Sequence, residues 1–155
     1  MKQVGIVTGA SSGIGKELAR IHAEKGRDLI IIARRETDLN NLKVELEGKH
    51  GVEVMVIAKD LTVPGAAKEI YDQVKSNGIE VDYLFNNAGF GSRGKFWEQD
   101  LSISTSMIDL NITALVELTH YFVSDMVERN QGKILQTSST AAYMPGPLQA
   151  VYFAT

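Results

Sequence analysis

The sequence predicts an α/β fold, a doubly wound parallel sheet with strand order 3-2-1-4-5, on three observations. Short runs rich in Ile, Val and Leu recur along the chain, helix-period segments separate them, and a glycine-rich turn joins the first run to the first helix. Alternating strands and helices imply a parallel sheet with helices on both faces. Right-handed crossovers restrict the topology, and the change of winding direction after the third strand leaves a ligand crevice at the strand ends, beside the first strand.

The predicted strands are Val4–Thr8, Leu29–Ala33, Val52–Ala58, Val81–Phe85 and Lys133–Thr137. Several are apolar on both faces, as buried parallel strands should be. Ile14, Leu18 and Ile21 predict the inner face of a helix from about Gly13 to Lys25, with Gly26 as its stop. Leu39, Leu42 and Leu46 mark a second helix, ending before Gly48. Pro64 suits the first turn of a third, where its missing N–H costs little. Ala67, Ile70, Tyr71 and Val74 follow at helical spacing, and Asn77-Gly78 closes that helix. The longest helix spans about Ser102 to Arg129, with Met107, Leu110, Ala114, Leu118, Tyr121, Phe122 and Met126 on its apolar face. No composition break interrupts the 155 residues, so one nucleotide-binding domain over residues 1–155 is expected.

Composition excludes several function classes. A net charge of −3 argues against a polyanion-binding surface, so no nucleic-acid partner is expected. The absence of cysteine removes disulfides, thiolate metal sites and Cys nucleophiles. His22, His50 and His120 lack metal-ligand spacing; they read as surface or packing residues, and no metal is expected. No uninterrupted apolar run approaches the roughly 20 residues of a membrane span, and no secretory signature opens the chain. The expectation is a cytoplasmic protein without a membrane partner.

The turn after the first strand reads TGASSGIG, Thr8 to Gly15. Gly9 permits a tight turn, Gly13 lets a ligand approach the backbone, and Gly15 allows close helix–strand packing. Gly9, Ser11, Ser12, Gly13, Ile14 and Gly15 then form a candidate phosphate cradle, with first-turn N–H groups and the helix dipole facing an anion. A glycine-rich β-α turn without a ligand is the plain alternative. The spacing is G-x-x-x-G-x-G rather than G-x-G-x-x-G.

With this turn the sequence resembles the short-chain dehydrogenase/reductase family, whose nucleotide loop reads T-G-x-x-x-G-I-G. Further family phrases are Asp60-Leu61 after the third strand, Asn86-Asn87-Ala88-Gly89 after the fourth, DLNITAL around Asn111, and TSSTAA from Thr137 to Ala142 followed by Tyr152. The resemblance spans the chain from about residue 3 to its end. It implies a Rossmann-like domain, a nicotinamide cofactor, a carbonyl or alcohol substrate, and homo-oligomers joined through the long helix, residues 102–129. It also implies further strands after the fifth, which this sequence does not contain. The chain is thus expected to be the N-terminal portion of a longer reductase.

The residues at the second strand end decide between cofactors. A carboxylate there would bind a ribose 2′-hydroxyl and repel a 2′-phosphate. The sequence instead reads IIARRE, placing Arg34 and Arg35 at that point. A guanidinium can hold a phosphate through two parallel hydrogen bonds, so NADP is expected over NAD, with Ser12 as an added hydroxyl donor. Solvated charges leading a helix are the other reading of the pair. By resemblance, Asp60 accepts from the adenine amino group, Leu61 adds a backbone contact, and Asn87, Ala88 and Gly89 line the ribose. Asp60 as a helix cap and the Asn-Asn-Ala-Gly stretch as a simple turn remain alternatives.

The resemblance also supplies the chemistry. It places the proton donor on Tyr152, the carbonyl-orienting hydroxyl on Ser139, and support of a water relay on Asn111. Ser139 is preferred to Ser138 because it stands thirteen residues before Tyr152, the family's spacing. A lysine four residues after the tyrosine lowers its pKa in the family, and here that place falls one beyond Thr155. Two further readings therefore stand beside the oxidoreductase: a nucleotide-binding fragment incomplete for catalysis, and an oligomerising interaction module. Substrate identity is not legible, although Phe90–Gly94 reads as a loop near the substrate mouth.

Overall fold

A computed structural model describes residues 2–144 and 146–155. Five parallel strands, β1 (Val4–Thr8), β2 (Asp28–Ala33), β3 (Val54–Ala58), β4 (Tyr83–Asn86) and β5 (Lys133–Gln136), form one sheet in the order β3-β2-β1-β4-β5. The registers run Ile6 against Ile30 and Leu84, and Ile30 against Met55, all in parallel. The expected order and winding are those observed.

The sheet's period of two divides the core. Ile6, Ile30, Ile32 and Leu84 face α3 (Ala66–Ser76) and the long helix, meeting Ile70, Val74, Leu118 and Phe122. Val7, Leu29 and Ile31 face the other way, against α1 (Gly13–Glu24) and α2 (Glu36–His50), where Leu39, Leu42 and Leu46 are buried. Strand β5 lies at the sheet edge and pairs only with β4, which leaves Leu135 exposed.

Four local expectations need correction. The buried face of α1 is Gly15, Ala19, His22 and Ala23, whereas Ile14 and Ile21 are exposed. Small side chains let this helix lie close on the sheet, so the large aliphatics point outward. Helix α2 runs past Gly48 to His50 and stops at Gly51, whose φ of 63° is the left-handed value a C-terminal glycine supplies. Helix α3 starts at Ala66 behind Gly65, so Pro64 belongs to the preceding turn. The long helix is α4 (Leu101–Ile108) and α5 (Leu115–Glu128) joined by a π-helical segment, Asp109–Ala114. By length and composition alone this helix could cross a membrane. Its stripe Met107, Ala114, Leu118, Phe122 and Met126 is instead buried in the domain core.

His22 is a packing residue of an unusual kind. It is buried edge-on against Tyr83 and Phe85, and a Cβ on Gly5 would lie 2.6 Å from its Nε2. That Nε2 has no hydrogen-bond partner among the described residues. Burial, aided by the Arg27 charge and opposed by Asp28 and Asp82, lowers its pKa from 6.5 to about 4. The unfolded chain therefore takes up this proton first as pH falls. Stability is full above pH 6.5, declines through the interval and reaches its maximal loss below pH 4, about 3 kcal/mol for this group. Thermal unfolding across that range should show this slope in the wild type and a shallower one in His22→Leu. Equal slopes would assign the acid sensitivity elsewhere.

Candidate functional site

The C-terminal ends of all five strands open into one cleft of about 1270 Å³. Each strand delivers part of the lining: Gly9 after β1, Arg34 and Arg35 after β2, Asp60 and Leu61 after β3, Asn87 to Phe90 after β4, Ser138 and Ser139 after β5. Ser11, Ser12, Ile14, Asn111 and Tyr152 complete it. Of the predicted site residues, Gly13 and Gly15 do not line it: Gly13 is exposed beside it and Gly15 is buried under the turn.

The glycines of the turn serve different needs. Gly9 has φ +69°, and a Cβ there would come within 3.0 Å of Ala88 Cα. At Gly15 a Cβ would lie 2.4 Å from the carbonyl oxygen of Gly9 and 2.6 Å from Asn87 Nδ2, so only glycine lets α1 reach the strand. Gly13 has φ +55° and nothing within 4 Å, leaving open space over the backbone. Ser12 is the N-cap of α1 but makes no capping hydrogen bond with its side chain. First-turn N–H groups and the Ser12 hydroxyl are thus available to an anion, the arrangement a pyrophosphate requires.

Thr8, which ends β1 and opens the T-G-x-x-x-G-I-G stretch, is the hub of this region. Its buried Oγ1 donates to the Phe85 carbonyl at 3.3 Å and accepts from the N–H groups of Asn87 and Ala88 at 2.9 and 3.0 Å. Asn87 Nδ2 returns a bond to the Thr8 carbonyl at 3.1 Å. The Asn-Asn-Ala-Gly stretch is therefore stitched to the glycine turn, and its backbone is fixed along the cleft floor.

The two arginines separate clearly. Arg35 donates to Ser11 Oγ at 3.2 Å and pairs with Asp38 at 2.9 Å. Lys59, the lysine in the cleft lining, pairs with Glu69. Arg34 has no hydrogen-bond or ion-pair partner among the described residues, so its guanidinium is the uncommitted charge at the β2 end. At the neighbouring β3 end, Asp60 Oδ1 accepts from Thr62 N and Oγ1 at 2.9 and 2.8 Å. Burial opposes the Asp60 charge, but these bonds and the Arg34 charge outweigh it and hold its pKa below the ordinary value. Asp60 closes a turn and does not cap α3, whose N-cap is Gly65. No described group donates to its Oδ2.

At the other end, Ser139 Oγ accepts from Ala141 N at 3.1 Å, capping a short turn while keeping its own proton free to donate. Asn111 lies in the π-helical segment and grips Phe90 at two points: Oδ1 accepts from its N–H at 3.1 Å, and Nδ2 donates to its carbonyl at 2.9 Å. Nδ2 also donates to Thr155 Oγ1 at 2.9 Å. The Asn111 side chain is thus committed to local structure. Tyr152 is half-buried on α6 (Ala150–Ala154), and its hydroxyl has no hydrogen-bond partner among the described residues. Of the loop after Gly89, only Phe90 lines the cleft, while Phe96 and Trp97 are exposed.

A doubly wound parallel sheet with a glycine turn after β1 and a cleft at its strand ends defines a Rossmann-like domain. Comparison with known proteins gives the family. The family model for short chain dehydrogenases matches residues 3–155, and the chain belongs to that family. It is 33% identical over 156 aligned residues to the very-long-chain 3-oxoacyl-CoA reductases of Macaca fascicularis and Homo sapiens, covering 97% of this chain and 49% of each relative. Among solved structures, a short-chain dehydrogenase from Sphingobium yanoikuyae in complex with NADPH matches with a TM-score of 0.92 and 31% identity, over 98% of this chain and 59% of that one. L-Sorbose reductase from Gluconobacter frateurii, complexed with NADPH and L-sorbose, matches with a TM-score of 0.92 and 30% identity, over 99% and 58% of the two chains. The chain thus spans about half the length of the curated relatives it matches.

Proposed function

We infer that this chain forms the cofactor-binding half of an NADP(H)-dependent oxidoreductase acting on a carbonyl or alcohol. The observation that carries the reading is the single cleft, which joins a phosphate-accepting turn and an uncommitted Arg34 to Ser139 and Tyr152. The complexes of similar proteins with NADPH support the choice of cofactor.

In this reading the first turn of α1 and Ser12 hold the pyrophosphate, and Arg34 holds the 2′-phosphate. Asp60 receives the adenine amino group on its free oxygen, and Asn87, Ala88 and Gly89 line the ribose. The nicotinamide supplies the hydride. Ser139 donates its hydroxyl proton to the substrate carbonyl oxygen and fixes it. Tyr152 then transfers its phenolic proton to that oxygen as the alcohol forms, and the reverse proton movement accompanies oxidation. Asn111 acts upstream of these steps by locking Phe90 and the turn beside it. Oligomerisation through the long helix is part of the proposal, supported by Ile108, Ile112 and Val116, which are exposed on its outer side.

A second reading has its own support: the sole lysine among the described cleft residues, Lys59, is tied to Glu69. With no free ammonium among the described cleft residues, Tyr152 has no lysine to assist its proton transfer. The chain would then bind nucleotide without turnover. NADPH oxidation with a panel of ketones and aldehydes separates the two, measured on this chain and on any longer form that continues past Thr155. Titration tests the cofactor assignment directly. Arg34→Ala should weaken NADPH binding about 10- to 100-fold, the worth of a charge-assisted phosphate contact, and leave NADH binding unchanged. Tighter binding of NADH than NADPH by the wild type would overturn the assignment, and no NADPH binding at all would overturn both readings.

A further inference from the structure

Tyr152 sits on a helix of only five residues, too short to hold a side chain by its own stability. Its position is set from outside. The ring edge Cγ, Cδ2 and Cε2 lies against Gly91, where an added Cβ would approach these atoms to 3.0, 2.9 and 3.2 Å. Gly91 is not in the left-handed region, so its backbone does not demand glycine. What matters there is the missing side chain.

The surrounding structure fixes that contact. Gln99 Nε2 donates to Ser92 Oγ at 2.9 Å and closes the segment that begins directly after Gly91. Gly94 N donates to the Leu148 carbonyl at 2.7 Å, tying this segment to the one entering α6. Leu148 has φ 68°, an uncommon conformation for a branched residue, at this junction. The neighbouring aromatic is seated in the same way, since a Cβ on Gly146 would lie 2.6 Å from Phe153 Cζ. Two adjacent aromatic side chains thus rest on two bare glycine backbones from different segments.

We propose that Gly91 is a positioning residue for the proton donor: its bare backbone is the seat that sets where the Tyr152 phenol stands in the cleft. This rests on the reading of Tyr152 as the donor. A methyl group at residue 91 must displace the ring, and the hydroxyl at the far end of the ring is displaced with it. Proton transfer needs a heavy-atom approach of about 2.6–3.2 Å, and misplacement by about 1 Å can cost about 100-fold in rate.

The test is a double-mutant cycle in thermal stability combined with kinetics. Gly91→Ala should lower the unfolding midpoint when Tyr152 is present and not in a Tyr152→Ala background. Equal lowering in both backgrounds would overturn the seat. If Gly91→Ala alone fails to fold, recovery of cooperative unfolding in the double variant supports the proposal, and its absence overturns it. In the active protein, Gly91→Ala should lower kcat about 10- to 100-fold with NADPH affinity unchanged. Unchanged kcat, or a parallel loss of NADPH affinity, would overturn the positioning role. Retained turnover in Tyr152→Phe would instead remove the donor reading, and the stability cycle would still decide whether Gly91 seats the ring.

Discussion

Gly15→Ala is expected to destabilise the domain by about 3 kcal/mol or more and to abolish tight cofactor binding. The methyl group would meet the Gly9 carbonyl oxygen at 2.4 Å, the Gly9 carbonyl carbon at 2.8 Å and Asn87 Nδ2 at 2.6 Å. Two of these atoms are backbone at the end of a central strand, and the third is held by its bond to Thr8. None can yield cheaply, so α1 must lift from the sheet and carry the anion-facing turn with it. In a domain of this size the unfolding midpoint should fall by about 10 °C. Gly48→Ala is the control, because Gly48 has open space around it and no positive φ. Calorimetry and NADPH titration on both variants check this. A Gly15→Ala protein as stable as the control would mean that the helix is free to shift.

Tyr152→Phe is expected to separate chemistry from folding. The Tyr152 hydroxyl has no hydrogen-bond partner among the described residues, so its removal leaves no buried group unpaired. The ring keeps its seat on Gly91. Stability should change by less than about 0.5 kcal/mol, and NADPH affinity should hold. Turnover should fall by about 100- to 10,000-fold, the worth of a positioned proton donor. Steady-state kinetics with an acceptor from the ketone and aldehyde panel, beside a melting curve, reads both effects. Turnover close to wild type would transfer the donor role to another group.

The sheet was legible in the sequence because its signal is local: short aliphatic runs at regular intervals have few alternatives. Strand β1 begins and ends where its pattern does, and the other strands differ by one or two residues at their ends. The inner face of α1 was misread because period counting favours large aliphatics. The close approach imposed by Gly15 selects Ala19 and Ala23 and turns Ile14 toward the cleft. Apart from Gly13 and Gly15, the residues expected at the site line one cleft, since their motifs follow strand ends. Their detailed commitments were not legible. That Asn111 grips Phe90, that Arg35 reaches Ser11 while Arg34 has no partner among the described residues, and that Gly91 carries Tyr152 all depend on how distant segments come together. Thr8 carried a signal, a hydroxyl at the end of a central strand beside the glycine turn, but strand patterning treats such a residue as punctuation.

The π-helical segment Asp109–Ala114 is a spacer that lets α4 and α5 run on as one rod. An α-helix advances about 100° per residue, and a π turn absorbs one extra residue without breaking the rod. Removing a single residue from this segment would restore regular winding with α4 and α5 still in line, so Leu118 and Phe122 could keep their places on the sheet while the bulge that carries Asn111 to Phe90 is lost. The length of this segment is thus fixed to the residue, even where its individual side chains are not.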